Sequence, residues 1–316
     1  MTGSAGNGTR GRIDVHHHVL PPQYVATTPM PVKVPDPETQ LRTMDDFGIA
    51  AAITSLTPRV FLDAPGRRRE VARACNEFQA GLVRDHPRRL GAFAALPLPD
   101  VDGALEEVAY ALDVLRLDGV GLFSSQEGRY LGDPLYDPLF EELNRRKAVV
   151  FVHPAHCNAP AELNLKAHGS IVEYIFDTTR AVVNMLYTGV LRRSPDIRII
   201  FSHGGGTVPF LTHRIAGLEH SANVPDVVGT LRSLYYDVAS AMAPYALRSL
   251  QELADPTHIL WGSDLPFIYG ERLREEVDEW EAYDGFDAAT RAAVERDNAL
   301  RLFPRLAAAS ASQAAL

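Results

Sequence analysis

Short apolar segments alternate with longer amphipathic segments along most of the chain. Most of the apolar segments are continuous rather than interrupted by polar residues, which is typical of parallel strands buried on both faces. Eight of them are predicted to be strands: 12–19, 50–56, 90–96, 119–123, 148–153, 198–203, 234–240 and 258–264. Between them, the spacing of apolar residues predicts helices over 67–85, 101–115, 135–146, 171–193 and 245–253.

Eight strand-then-helix units within roughly 250 residues predict an α/β fold, a closed (β/α)8 barrel. We expect a single catalytic domain over residues 12–306, between a flexible N-terminal tail at 1–11 and a C-terminal tail at 307–316. Two irregular segments follow strands and are expected to form loops at the active-site end: 20–37, which contains six prolines, and 155–170. Neither GxGxxG nor a P-loop is present, so the sequence does not support a nucleotide cofactor.

Histidine and aspartate side chains stand at the ends of four of the predicted strands. His16 and His18 end the first strand, His153 ends the fifth, His203 the sixth and Asp264 the eighth. Because the carboxyl ends of all the strands of a barrel meet at one face, we expect these five side chains to converge there.

The first strand carries three consecutive histidines. Residues two apart on a strand point to the same side, so His16 and His18 can bind one cation while His17 packs behind the strand. His153 and Asp264 would complete a set of three nitrogens and one oxygen, which suits Zn²⁺ and is acceptable to Mn²⁺. The alternatives are a chance run or a tag remnant for the histidines, and a helix N-cap for Asp264.

Two further polar residues of the strand ends have open roles. His203 precedes three glycines, which allow the backbone to approach whatever the histidine faces. We assign it acid–base catalysis, because a neutral imidazole titrates near working pH; a direct ligand role is the alternative. Asp14 is either a strand-end charge or a hydrogen-bond partner of the ligands.

Composition and charge exclude several functional classes. The 316 residues include 31 Lys and Arg against 40 Asp and Glu, and the resulting charge of −9 repels phosphate backbones, so no nucleic acid partner is expected. The sequence has no apolar run long enough to span a membrane and no signal peptide at the N-terminus, so no membrane association is expected. The two cysteines, Cys75 and Cys157, fit a reducing cytoplasm.

Four motifs together resemble the amidohydrolase superfamily. They are I-D-V-H-H-H at 13–18, F-V-H-P at 151–154, S-H-G-G-G-T-V-P-F-L-T-H-R-I at 202–215 and W-G-S-D-L-P-F at 261–267. Within the superfamily, the chain resembles the branch of aminocarboxymuconate semialdehyde decarboxylase and the non-oxidative aromatic acid decarboxylases, which act on resorcylate, carboxyvanillate and 6-methylsalicylate. The resemblance covers about residues 13–303.

The resemblance assigns roles to individual residues. It implies that one divalent metal ion per subunit is bound by His16, His18, His153 and Asp264. It implies that His203 is the catalytic histidine and that Arg214 binds the substrate carboxylate, for which the planar guanidinium is well shaped. In relatives this arginine reaches into the neighbouring subunit's site, which implies a homodimer. The alternative for Arg214 is a surface salt bridge.

The sequence departs from two patterns of the superfamily. The semialdehyde decarboxylase has a second carboxylate-binding arginine between strand 1 and helix 1, whereas segment 20–37 contains only Lys33 as a cation. A mono-acid such as a 2-hydroxybenzoate therefore fits better than a dicarboxylic semialdehyde. Binuclear hydrolases have a carboxylated lysine at the end of strand 4, whereas this strand reads G-V-G-L-F-S-S-Q, which implies a mononuclear site.

These features predict a metal-dependent decarboxylase of a small hydroxyaryl carboxylic acid. The metal would chelate the carboxylate and the ortho hydroxyl oxygen, and either Asp264 or His203 would protonate the ring carbon. Ser124, Ser125 and Gln126, and Asn158, His168, Phe176 and Arg180 in 155–185, are candidates for the pocket lining. The alternative function is a metal-dependent lactone or amide hydrolase, or a hydratase, of the same superfamily.

Overall fold

The computed structural model describes residues 11–21, 35–57, 65–155, 166, 168–217 and 224–307. Eight parallel strands form one sheet, in which each strand pairs with the next along the chain. They are β1 (Arg12–His18), β2 (Ile49–Ser55), β3 (Leu90–Ala95), β4 (Gly119–Phe123), β5 (Val149–His153), β6 (Arg198–Phe201), β7 (Tyr235–Asp237) and β8 (Ile259–Leu260). A short antiparallel hairpin, Ser125–Gln126 with Arg129–Tyr130, follows β4.

Helices follow the strands and bury their apolar faces against the outside of the sheet. They are α1 (Pro37–Asp46), α2 (Arg68–Asp85), α3 (Val101–Ala109), α4 (Asp137–Arg145), α5 (Gly169–Tyr187), α6 (Val190–Arg193), α7 (Val208–Ala216), α8 (Val227–Arg232), α9 (Pro244–Leu253), α10 (Gly270–Ala282), α11 (Ala288–Ala292) and α12 (Asn298–Leu302). A π-helical turn, Tyr110–Val114, extends α3. Over the described ranges, no helix has both the length and the apolar character needed to cross a bilayer.

Hydrogen bonds between the first and last strands close the sheet. The regular part of β8 ends at Leu260, but the chain beyond it continues alongside β1. The backbone N–H of Val15 donates to the carbonyl of Trp261 at 3.0 Å, and that of His18 donates to the carbonyl of Leu265 at 2.7 Å. The predicted (β/α)8 barrel is therefore confirmed, with an irregular seam at its last strand.

Some predicted boundaries differ from the observed ones. The sixth strand was expected to reach His203, but it ends at Phe201 because the backbone turns sharply at His203. The helix predicted over 171–193 is divided into α5 and α6 by Gly189, whose φ of +78° is left-handed and ends a helix. Most of the two predicted tails, and of the loops 20–37 and 155–170, lies outside the described residues.

Alternation along the strands separates an inner core from an outer one. In β5, Val149 and Phe151 belong to the cluster inside the barrel, whereas Val150 and Val152 pack beneath the helices. His153 comes two residues after Phe151, so its side chain also faces the interior, at the carboxyl end of the strand.

Between Asp14 and His17, strand β1 contains an extra residue relative to its neighbour β2. Asp14 pairs with Ala52 of β2, and His17 pairs with Thr54, so three steps along β1 match two steps along β2. This is the signature of a β-bulge, which reverses the side of the strand from which the following side chains project.

The bulge decides which histidines enter the barrel. Val15 lies in the inner cluster, so an unbroken alternation would place His17 inside as well. With the extra residue, His16 and His18 occupy the interior and His17 turns outward. The prediction that the side chains of His16 and His18 project from the same face of β1 was right. Whether that face points into the barrel depends on the bulge.

The chain leaves β6 through a left-handed turn. His203 has a φ of +55° and Gly205 a φ of +74°. A Cβ atom on Gly205 would lie 2.6 Å from Cε1 of the Tyr236 ring. Tyr236 is fully buried, and its hydroxyl donates to the carbonyl of Leu231 at 2.6 Å, so the ring has no room to move. The turn therefore requires glycine at 205.

Gly205→Ala is expected to lower the free energy of unfolding by about 2–4 kcal/mol, since it combines a left-handed backbone penalty with overpacking against Tyr236. Gly128→Ala is the matched control, because Gly128 has a φ of +80° but nothing within 4 Å of an added Cβ. It should lose only about 1–2 kcal/mol. Urea unfolding measures both values, and equal losses would show that the Tyr236 contact is unimportant.

Candidate metal centre and active site

Three imidazole nitrogens and a carboxylate oxygen meet at the carboxyl end of the barrel. They belong to His16 and His18 of β1, His153 of β5 and Asp264, which follows β8. One ligand atom of each residue lies within 4.8 Å of those of the other three. His16 Nε2 is 3.1 Å from His18 Nε2, and Asp264 Oδ1 is 3.4 Å and 3.2 Å from these two nitrogens. The structure thus brings together the four residues predicted to be metal ligands.

A second polar group orients each of the three imidazoles through its Nδ1 atom. The partners are the Asp237 carboxylate for His16 (2.9 Å), the Ser55 hydroxyl for His18 (3.1 Å) and the Pro154 carbonyl for His153 (2.8 Å). With Nδ1 engaged, the Nε2 atoms are the nitrogens that face one another. Such outer partners fix the ring orientation and the tautomer of metal-binding histidines.

Burial and neighbouring charges set the protonation of the cluster. Burial lowers the pKa of His18, and burial with the charges of the other histidines lowers the pKa of His153 well below its ordinary value. Burial also acts to lower the pKa of His16, but Asp237 and Asp264 outweigh it and raise this pKa to about 10. Burial acts to raise the pKa of Asp264, but the His16 charge and hydrogen bonds from the histidines hold it well below its usual range.

His203 lies beside the cluster rather than within it. Its Nε2 atom is 3.7 Å from Oδ2 of Asp264, whereas Oδ1 of the same carboxylate faces His16 and His18. The Nδ1 atom of His203 is buried and has no hydrogen-bond partner among the described residues. An imidazole next to a carboxylate of the cluster is placed to transfer protons there.

Aromatic rings surround the cluster. The ring centroid of Phe151 is 5.0 Å from that of His16, that of Phe267 is 5.3 Å from that of His18, and that of Tyr174 is 6.1 Å from that of His153. Phe151 is buried inside the barrel, whereas Tyr174 and Phe267 are partly exposed. The site is therefore apolar toward the barrel interior, and two aromatic side chains flank it on the side that faces solvent.

His17 points away from the cluster, as expected. Its Nδ1 lies 3.1 Å from Oδ2 of Asp14, and its Nε2 lies 2.8 Å from Oε1 of Gln40. Asp14 also accepts the backbone N–H groups of His16 and Ser263, at 3.0 Å each. Asp14 was predicted to be either a strand-end charge or a hydrogen-bond partner, and it is a hydrogen-bond partner. It binds the backbone at the seam and the side chain of His17, and no side chain of the cluster.

Asp237 is absent from the residues predicted from the sequence. It ends β7 in the sequence Y-Y-D, just as His153 ends β5 in F-V-H. A charged residue at the end of an apolar strand is the sequence feature by which Asp237 could have been identified as a site residue. Tyr174 and Phe267 were also missed, because an aromatic residue on a helix or in a loop does not differ in sequence from a core residue.

The remaining predicted site residues lie elsewhere or have structural contacts. Arg214 is an exposed residue of α7, and no hydrogen bond or ion pair joins it to another described residue. Ser124 is buried and donates to Asp177, while its hydroxyl accepts the backbone N–H of Ala155 at 2.8 Å. His168 caps the N-terminus of α5. Asn158 lies outside the described residues.

The donor set fits a divalent metal ion. Three buried imidazoles with a carboxylate are typical zinc ligands, and manganese also accepts nitrogen and carboxylate oxygen. Two of the histidines have lowered pKa values and the carboxylate is ionised, which are the forms in which these groups bind metals. The position of the cluster at the carboxyl end of a barrel is where enzymes of this fold perform catalysis.

Curated proteins similar to this chain include decarboxylases. Decarboxylase yanB of Aspergillus niger is 37% identical over 93% of this chain and 88% of its own length. The 6-methylsalicylic acid decarboxylase of Penicillium expansum is 33% identical over 93% of this chain and 97% of its own length.

A solved structure and a family pattern extend the comparison. A dihydroxybenzoic acid decarboxylase from Polaromonas, solved with bound manganese and the inhibitor 2-nitroresorcinol, matches 93% of this chain and 97% of its own with a TM-score of 0.78. At 21% identity, this likeness shows a shared fold. The sequence pattern of the amidohydrolase family matches residues 13–305, as the four motifs predicted. The chain belongs to the amidohydrolase family.

Proposed function

We propose that this protein is a metal-dependent non-oxidative decarboxylase, which releases CO₂ from a small hydroxyaryl carboxylic acid of the 6-methylsalicylate or 2-hydroxybenzoate type. The observation that carries the proposal is the convergence of His16, His18, His153 and Asp264 beside His203. The names of the curated relatives, one of them a 6-methylsalicylic acid decarboxylase, support the reaction. The flanking aromatic rings suit a planar aromatic substrate.

We propose one divalent metal ion per subunit, bound by these three histidines and Asp264. The nitrogen-rich donor set favours Zn²⁺, and Mn²⁺, which the Polaromonas decarboxylase binds, is the alternative. When bound, such an ion would chelate the carboxylate and the ortho hydroxyl oxygen of the substrate and stabilise negative charge on the phenolate.

The side chains around the ligands hold the substrate and exclude water. Phe151 closes the floor of the site, so the substrate enters from the side of Phe267 and Tyr174. A dry and apolar surrounding strengthens the electrostatic interactions made by His203 and Asp264 with the reacting group.

His203 and Asp264 transfer the proton to the ring carbon. The proton adds to the ring carbon that carries the carboxylate. The bond between this ring carbon and the carboxylate carbon then breaks, its electron pair returns to the ring, and CO₂ leaves. Asp264 is held ionised, so it can donate a proton only after receiving one, and His203 is the neighbour that can supply it. Solvent then restores the proton of the histidine.

We further propose a cytoplasmic homodimer in which Arg214 binds the substrate carboxylate in the neighbouring subunit's site. Arg214 is exposed on α7, and Phe210, one helical turn earlier, is 82% exposed. An exposed phenylalanine next to an arginine without an ion pair to any described residue is typical of a surface that another chain covers.

The first test is CO₂ release from 6-methylsalicylate, salicylate and 2,6-dihydroxybenzoate by protein of measured metal content, purified without a histidine tag. We expect release from at least one of these acids at about one metal ion per chain. Protein loaded with metal that releases no CO₂ from any of them, but hydrolyses a lactone or an amide, would replace the decarboxylase with the hydrolase alternative.

Replacement of a ligand should remove metal and activity together. His16→Ala and Asp264→Ala are expected to lose the bound metal and to lower kcat/KM by about a thousandfold or more, since the metal contributes several kcal/mol of transition-state stabilisation. His17→Gln is the control, because His17 faces Gln40 rather than the cluster, and it should keep its metal. Full activity of either ligand variant after metal stripping would contradict the metal-dependent reaction.

Arg214→Ala should raise KM by about 10- to 100-fold with unchanged metal content, because a charge-assisted contact to the carboxylate is lost. Arg192→Ala, at another exposed arginine, is the control. If Arg214 acts across a dimer, mixed dimers of Arg214→Ala and His203→Ala chains contain one complete site and regain activity. The absence of any regain in verified mixed dimers would place Arg214 in its own subunit's site, and an unchanged KM in the Arg214→Ala protein would place it outside both sites.

A further inference from the structure

One buried carboxylate contacts both the ligand cluster and the turn that carries His203. Asp237 ends β7 and is fully buried. Its Oδ2 lies 2.9 Å from Nδ1 of His16. Its Oδ1 accepts the backbone N–H groups of His203 and Ala239, at 3.0 Å each.

The contact with His16 fixes which nitrogen can bind a metal. A carboxylate can only accept at this position, so Nδ1 of His16 carries the hydrogen. In the neutral imidazole, which is the form that binds a metal, Nε2 points toward His18 and Asp264 and presents its lone pair to the cluster. Without this partner, a neutral His16 could carry its hydrogen on Nε2 instead, and that tautomer cannot bind a metal.

The contact with His203 supports a backbone conformation that costs energy. His203 has a φ of +55°, a region that residues other than glycine rarely occupy. Such a conformation persists only where its surroundings hold it. The Oδ1 atom of Asp237 holds the amide of His203, and the ring of His203 is thereby placed beside Asp264.

We infer that Asp237 is a positioning residue that holds His16 in its metal-binding tautomer with one oxygen and fixes the His203 turn with the other. This inference rests on the metal site of the proposed function. It gives Asp237 two separable effects, one on metal affinity and one on turnover.

Asp237→Asn separates them, because its amide can be placed in only one way. The side-chain oxygen must stay on the two backbone N–H groups that Oδ1 now accepts, since an NH₂ group there would face two donors. The NH₂ group therefore faces Nδ1 of His16 and favours the tautomer with hydrogen on Nε2. This variant should weaken metal binding by about 10- to 100-fold, while its His203 turn stays in place.

Asp14→Asn is the control, because Asp14 makes similar contacts with a histidine that does not face the cluster, and in addition accepts the hydroxyl of Ser263. Its Oδ1 accepts two backbone N–H groups, and its Oδ2 faces Nδ1 of His17 and accepts the Ser263 hydroxyl at 2.5 Å. A neutral His17 can accept from the new NH₂ group at Nδ1 while Nε2 donates to Gln40. The second hydrogen of this NH₂ group can donate to the Ser263 hydroxyl oxygen, which has a lone pair besides the one that accepts the Leu265 N–H. This variant should therefore keep the metal affinity of the parent protein.

The experiment measures the Kd for Zn²⁺ and for Mn²⁺ by competition with a chelating dye, in the parent protein and both asparagine variants, with unfolding curves to verify that each is folded. The inference predicts loss of affinity in Asp237→Asn alone. Unchanged affinity in Asp237→Asn, or an equal loss in both variants, would overturn the role in the His16 tautomer. Because no substrate is present, this outcome is independent of whether the protein proves to be a decarboxylase.

The second effect is measured as turnover at saturating metal. Asp237→Asn should recover a kcat close to that of the parent protein, because the amide of His203 keeps its acceptor. Asp237→Ala, or Asp237→Ser if the alanine variant does not fold, removes that acceptor and should stay low in kcat with excess metal. Equal kcat values for these variants and Asp237→Asn would show that Asp237 does not position His203.

Discussion

The need to satisfy buried polar groups governs the carboxyl end of this barrel. Three buried imidazoles and a partly buried carboxylate lie together there, and such groups are costly to bury without a partner. The structure meets this demand by giving every histidine of the cluster a partner at Nδ1, so that the unsatisfied atoms all point to one place. A divalent metal ion at that place would satisfy the lone pairs and balance the charge of the whole group.

The barrel makes this arrangement possible because it forces distant strands to share one end. β1, β5 and the segment after β8 contribute the four residues of the cluster, and β7 supplies Asp237, which contacts His16. The seam between β8 and β1 contributes twice: its hydrogen bonds close the sheet, and they hold Asp264 next to the β1 histidines. Stability and site geometry therefore depend on the same hydrogen bonds here, so damage at the seam would affect both.

Two buried aspartates contact different histidines of the run at 16–18. Asp14 holds the outward His17 and the backbone of the seam, whereas Asp237 holds the inward His16 and the turn of His203. Each of them accepts two backbone N–H groups and contacts Nδ1 of a histidine, yet only Asp237 contacts an imidazole of the cluster. Whether a buried carboxylate affects the cluster thus depends on the face of β1 from which its histidine partner projects. The bulge in β1 determines that face.

Sequence alone determined the barrel, because eight apolar segments separated by amphipathic ones permit few other folds, and it placed His16, His18, His153, His203 and Asp264 at strand ends. It could not determine the phase of β1, since a bulge leaves no mark in the order of residues. It also gave no role to Asp237, whose partners lie 221 and 34 positions away along the chain. Only the tertiary structure decided these points, because they depend on which strands become neighbours when the sheet closes and on where one extra residue shifts their register.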